Sequence, residues 1–366
     1  MKRKLLMILL LLLFITTGCF KNSTDNALKD LEKKYKNLKA YHVEGELEIV
    51  NNEDTFNYDV DVLFQKEDKY KVSLKNKNNN HEQIILKNNE GVYVLTPSLN
   101  KSFKFQSNWP YNNSQVYLIK SIIDDIKNDN EKNIIENENG FQITTTVNYP
   151  NNRKLVRQTV TTDKDLNIKE VKVMDESDVT QMKMTFTSID LSPSIANNAF
   201  NLDNIMKIND NETPTPTPTT SPTPTASPTP NPSETPQVEG SEQNGNDITT
   251  ETSTLEDIIY PLYIPSGTKL TSQETIEKTD GERVIMTFGG EKPFLLVEET
   301  VTIPEELEII PTFGEPCILS DTVAALTETS ISWTSNNVDY YIVSDVMSQD
   351  ELLEIARSVS VIPTMK

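Results

Sequence analysis

Five carboxylates set at alternate positions, Glu44, Glu46 and Glu48 on one stretch and Asp59 and Asp61 on the next, are the groups best placed for acid–base or metal chemistry. A glycosidase needs two carboxyl groups facing each other across a bond, and a hard cation needs several converging oxygens. Here Tyr41, Val43, Leu47 and Ile49 alternate with the first set, and Tyr58, Val60, Val62 and Phe64 with the second. A period of two puts the acids on the wet faces of half-buried antiparallel strands. Solvated surface is therefore expected, ahead of a catalytic or metal-binding pair. The two histidines, His42 and His81, fall on the polar side of a strand and just after the Asn-rich run 76–80, and both are expected to be solvated. The chain has no G-x-S-x-G, H-E-x-x-H, C-x-x-C or phosphate-loop pattern. No enzyme, metal or cofactor is expected. A glycan-cleaving activity built on the 44–61 carboxylates ranks third among the functions considered.

Cysteine carries the clearest chemistry. Met1-Lys-Arg-Lys is basic, and Leu5–Ile15 is an unbroken apolar run of eleven residues. A membrane-spanning helix needs about 20 residues. The run fits the apolar region of a secretory signal, with small residues and a cysteine after it. Thr16-Thr17-Gly18-Cys19 resembles the lipobox of bacterial lipoproteins, with Thr16 where leucine is usual. The resemblance implies a signal peptide over 1–18, a diacylglyceryl group on Cys19, a short tether over 19–24, and a chain held on the extracytoplasmic face of the membrane. An uncleaved anchor, or a signal in which Cys19 is incidental, are the alternatives. Cys317 is then the one remaining thiol, an odd number for an exported chain. Its apolar setting, Pro316-Cys317-Ile318-Leu319, points to burial.

The formal net charge of −21 is unevenly spread. Residues 20–211 hold 25 Lys and Arg against 29 Asp and Glu, whereas 238–366 hold 6 against 24. So acidic a surface is repelled by nucleic acid and by anionic lipid headgroups, so no nucleic-acid partner is expected. Between these regions, Glu212–Pro236 holds nine of the 20 prolines. It cannot bury a core and favours extended polyproline II. With the polar sequence that follows, a disordered linker over 211–254 is expected. It separates a unit over 25–210 from a second over 255–366.

The first unit opens with Leu28, Leu31, Tyr35 and Leu38 on one helical face. The two alternating stretches follow, and then strands at Tyr70–Leu74, Gln83–Leu86, Val92–Leu95 and Phe103–Phe105. A helix is expected over Ser114–Lys127, and strands resume at Phe141–Tyr149, Lys154–Thr162, Ile168–Met174 and Thr180–Ile189. The economical solution is a mainly β fold, a curved antiparallel sheet with helices on one side. Phe56, Tyr58, Val60 and Val62 from the sheet, with Ile119, Ile122, Ile123 and Ile126 from the helix, are the candidate walls of an apolar cavity and its lid. A packed core is the alternative. The second unit reads as a small α+β domain. It has strands at Arg283–Phe288, Phe294–Thr300, Ile318–Leu319 and Val323–Leu326, a hairpin of Ile331–Thr334 with Val338–Val343, and a capping box at Ser348–Glu351 opening a helix through Ser358.

Tyr70–Leu74, Glu90–Pro97, Asn100-Lys101, Phe103–Phe105, Trp109–Tyr111, Tyr117–Ile123 and Ala199–Leu202 together resemble the LolA-like superfamily, nearest its tethered Firmicute branch of germination and sporulation lipoproteins of the GerS type. The resemblance implies an incomplete antiparallel β-barrel with a helical lid over an apolar cavity. A lipid anchor departs from the freely moving carriers of that superfamily. Ile331–Trp333, Val338–Val343 and Ser348–Ser358 resemble an uncharacterised C-terminal module of Firmicute surface proteins. The expected function is a non-catalytic, membrane-anchored lipoprotein that binds an acyl chain, a lipoprotein or an extracytoplasmic protein partner, in sporulation, germination or envelope maintenance. The two-unit architecture gives the alternative by analogy, an RseB-type envelope-stress sensor acting on an anti-sigma partner.

Overall fold

The computed structural model describes residues 24–51, 54–210, 254–255 and 257–359. Cys19, the signal sequence and nearly all of the expected linker lie outside them. The two alternating stretches form β1 (Ala40–Asn51) and β2 (Asp54–Gln65), paired antiparallel so that Val43 faces Val62, Leu47 faces Tyr58 and Glu46 faces Asp59. Apolar and charged residues therefore line opposite faces, as a period of two requires. A bulge at Glu44/Gly45 shifts the pairing of β1 with β11 (Thr180–Asp190), and there the backbones close in. A Cβ on Gly45 would sit 2.3 Å from the Thr185 carbonyl oxygen.

From β1 the sheet extends both ways. One side runs through β2, β3 (Lys69–Asn76), β4 (Glu82–Asn88), β5 (Gly91–Thr96) and β6 (Lys101–Phe105). The other runs through β11 (Thr180–Asp190), β10 (Ile168–Asp175), β9 (Leu155–Asp163), β8 (Gly140–Thr146) and β7 (Asn133–Asn137). Its two ends do not meet, so the barrel is incomplete. Helices α1 (24–35) and α2 (Ile119–Asn128) pack on the inner face with Leu31, Tyr35, Ile119, Ile122 and Ile126. Helix α3 (Leu202–Asp210) covers the outer face of β4 and β5, where Leu202, Ile205 and Met206 meet Ile84, Leu86, Tyr93 and Leu95. Those two strands are covered on both sides, which is why Ile84–Leu86 and Val92–Leu95 are continuous apolar runs.

Helix α2 begins at Ile119, not at Ser114 as the periodicity predicts. Ser114 is held instead to Asn148, its backbone N–H donating to the Asn148 carbonyl and its Oγ accepting from the Asn148 N–H. Val116, Tyr117 and Leu118 are buried ahead of the first turn. Strand β7 and helix α3 lie outside the sequence expectation.

The second sheet runs β12 (Thr268–Lys278), β13 (Gly281–Gly290), β14 (Phe294–Thr300), β19 (Val338–Val343), β18 (Ser330–Ser335), β17 (Val323–Leu326) and β16 (Glu315–Ile318). Asn336 and Asn337 join β18 to β19 in the left-handed region, with φ of 49° and 60°, the two-residue turn that matches strand twist. Helix α4 (Gln349–Ser358) opens on the expected capping box, Ser348 with Glu351, and buries Leu352, Leu353, Ile355 and Ala356. One strand does not join this sheet. Strand β15 (Glu308–Thr312) pairs in parallel with β6 and becomes the twelfth strand of the first. The stretch 308–312, expected within the second unit, thus belongs by pairing to the first.

Candidate binding cavity between the two units

The expected cavity residues are brought together, as one core. Tyr58, Val60 and Val62 on β2 and Ile119, Ile122, Ile123 and Ile126 on α2 are all buried, and Phe56 packs against them half-buried. Leu31, Tyr41, Leu47 and Tyr70 fill the space between sheet and helix. The cavity lies further along the inner face, where the second unit docks.

Across that junction Gln83 is the main polar lock. Its Oε1 accepts from the Val323 N–H (2.6 Å) and from the Thr322 hydroxyl (3.0 Å). The Tyr58 hydroxyl donates to the Ser320 carbonyl (2.8 Å), and Asn51 Nδ2 donates to Ser320 Oγ (2.6 Å). Lys101 approaches Asp339 at 3.5 Å, and Lys154 pairs with Glu354. Val323 and Ala325 of β17 complete the apolar core of the first unit. A cavity of about 100 Å³ remains between the units. Ile49, Val116, Tyr117, Leu155, Met182, Ile318 and Leu353 give it apolar walls, and Asn51, Gln115 and Ser320 give it polar ones. It shares Asn51, Leu155, Gln181 and Arg357 with a wider crevice of about 410 Å³. Cys317 lines the cavity, and burial pushes its thiol up to about 12, so its thiolate is scarce and reacts slowly at neutral pH. A second groove of about 410 Å³ lies between β6, β15 and the second sheet, walled by Phe103, Phe105, Phe313, Trp333 and Tyr341.

The acidic strands carry their charge on the outer face, largely neutralised in place. Lys77 reaches both Glu46 (2.8 Å) and Asp59 (3.3 Å), Lys183 reaches Glu48 (2.7 Å), and His42 Nε2 lies 2.7 Å from Asp61 Oδ2. One ligand atom from each of His42, Glu44 and Asp61 falls within 4.8 Å of the others, on open surface. His42 and His81, both expected in solvent, are each half-buried. Burial lowers the His81 pKa. Two carboxyl groups are raised, chiefly by burial: Asp125 to about 6 and Glu298 to about 7. Asp125 accepts from Ser114 and Gln158, and Glu298 from the Ile259 N–H, so each is held by neutral donors in its own unit. Sequence reasoning missed Gln83, Ser320 and Arg357. Nothing local distinguishes them, because their partners lie on the other unit.

Fold and cavity together define a two-sheet β protein with an apolar space at the junction of its units. The chain belongs to the family of the sporulation protein YdcC of Bacillus subtilis (strain 168), with which it is 32% identical over 350 residues, 95% of this chain and 94% of that one. No family model matches it. Solved structures similar to it include MucB, at 10% identity and TM-score 0.31, over 92% of this chain and 96% of that one. Another is a chain of the complex of the CwlD amidase with the GerS lipoprotein of Clostridioides difficile, at 18% identity and TM-score 0.28, over 45% and 93%. A third is an outer-membrane lipoprotein-sorting protein domain of Vibrio parahaemolyticus, at 12% identity and TM-score 0.31, over 50% and 97%.

Proposed function

We propose that this protein is a non-catalytic lipoprotein of sporulation or germination, anchored to the extracytoplasmic face of the membrane through a diacylglyceryl group on Cys19. At the junction of its units it binds an acyl chain, carried by a lipid, a lipoprotein or a lipidated partner. The observation that carries this reading is the apolar cavity between Ile49, Met182, Ile318 and Leu353, which shares wall residues with a wider crevice. Apolar space of that kind, with a few convergent polar groups, is what a chain-like ligand fills. Kinship with a sporulation protein over 95% of the chain supports the setting. The lipobox resemblance supports the anchor, since two acyl chains hold a protein where one is only marginal.

The test is native mass spectrometry and lipid extraction of residues 20–366 purified from cells. A bound lipid or acylated peptide, displaced by a fatty-acid probe, is the expected result. No co-purifying ligand together with no probe binding overturns the binding reading. The anchor has its own test. Cys19→Ser is expected to move the full chain out of the detergent-soluble membrane fraction, and unchanged fractionation overturns the lipidation of Cys19.

A further inference from the structure

Arg357 is the odd charge of the junction. It stands in the last turn of α4 and lines both the cavity and the adjoining crevice. Its guanidinium makes no ion pair and donates no hydrogen bond among the described residues, although an arginine carries five donors. The neighbouring acids are engaged elsewhere. Glu354 pairs with Lys154, and Asp175 is held by the Ser177 and Val179 N–H groups and by Gln181. Asp350 accepts from the Arg153 N–H. Burial lowers the Arg357 pKa, and the charges of Glu354 and Asp350 nearby offset this only in part. A cation in the last turn of a helix complements the helix dipole. That accounts for a basic residue on α4, but not for one that lines an apolar space.

We propose that Arg357 is the anchor for the anionic head of an amphiphile, a carboxylate or phosphate group, whose first carbons enter the cavity between Ile49, Met182, Ile318 and Leu353. The inference rests on the acyl-binding reading and deepens it. A guanidinium meets such a head through two parallel N–H···O bonds. Ser320 also lines the cavity; its Oγ accepts from Asn51 and keeps its own proton, which can be donated to a remaining oxygen of the head. The cavity of about 100 Å³ is smaller than the ~150 Å³ that admits benzene, so it takes only a few carbons and the rest of the chain follows the crevice.

The experiment compares three ten-carbon probes on residues 20–366 by calorimetry: decanoate, decyl phosphate and the uncharged decanol. At least one anionic probe is expected to bind tenfold or more tightly than decanol, and whichever anion binds better identifies the head. In Arg357→Gln the anionic and neutral affinities are expected to converge. On the unaltered protein the preferred anion is expected to slow alkylation of Cys317, which localises it without relying on the variant folding. Equal affinities for all three probes overturn the anchor while leaving acyl binding in place. A preference that survives Arg357→Gln, or that leaves Cys317 unprotected, also overturns it, since the anion is then held elsewhere. No binding of any probe removes the acyl reading and the anchor together.

Discussion

Gly45 is held by its neighbours. Adding a Cβ would bring it to 2.3 Å from the Thr185 carbonyl oxygen and 2.6 Å from Met184 Cε, so the bulge between β1 and β11 must open. Gly45→Ala is expected to cost about 1–3 kcal/mol, read as a lower urea midpoint at unchanged slope. Glu298 makes a prediction of a different kind. It is fully buried, accepts from the Ile259 N–H, and sits at about 7 because burial penalises its charge more than that bond favours it. Its folded value is raised above its unfolded one, so the folded state binds the proton more tightly. The contribution is whole below pH 4.5 and is lost as pH rises through about 7. Glu298→Gln should flatten this slope and stabilise the protein at pH 8, by about 3 kcal/mol at most. Urea titrations between pH 4.5 and 8 check it, and a midpoint no higher than the parent's at pH 8 contradicts it.

Strand β15 is held lightly by its own ladder. It pairs with β6 along one edge only and in parallel, Pro311 supplies no N–H, and Ile309 is 49% exposed. Its ladder amides are expected to exchange with solvent at least about tenfold faster than those of β14, which is paired on both sides. Native hydrogen exchange followed by mass spectrometry measures this directly, and equal protection contradicts it. The same elements show where sequence reading reaches and where it stops. β1, β2, β13 and β14 alternate cleanly because one face is dry and the other wet, and the Asn336-Asn337 turn and the Ser348 cap announce themselves by residue type. Strand β12 does not, since nearly all of its side chains are exposed and no alternation is needed. β15 reads as a short apolar fragment whose partner lies about two hundred residues earlier. Helix α2 keeps its apolar face but starts late, because the Ser114–Asn148 bonds claim the turn that periodicity offered to it.

At the scale of the whole molecule the junction is what sequence could least convey. Tyr58 reads as an apolar wall within the first unit, yet its hydroxyl bonds a carbonyl 262 residues away. Arg357 stands in the last turn of a helix, where a cation is ordinary, yet it lines a space built by both units. Gln83, Tyr58, Asn51 and strand β15 tie the units together, so they should behave as one body. Cleavage at a protease site introduced between residues 220 and 235 is expected to leave two fragments that co-elute, with Cys317 still slow to react with thiol reagents. Separation on size exclusion, or a thiol exposed by the cut, contradicts this. The parallel pairing of β15 with β6 also bears on how the chain is made. Residues 101–105 reach the extracytoplasmic side roughly two hundred residues ahead of 308–312. Throughout that interval β6 offers a bare row of N–H and C=O groups to any neighbouring chain. A copy whose export stalls between these points is the form most prone to stick to its neighbours, so the crossing of residues 106–307 is where this protein is most easily lost to aggregation.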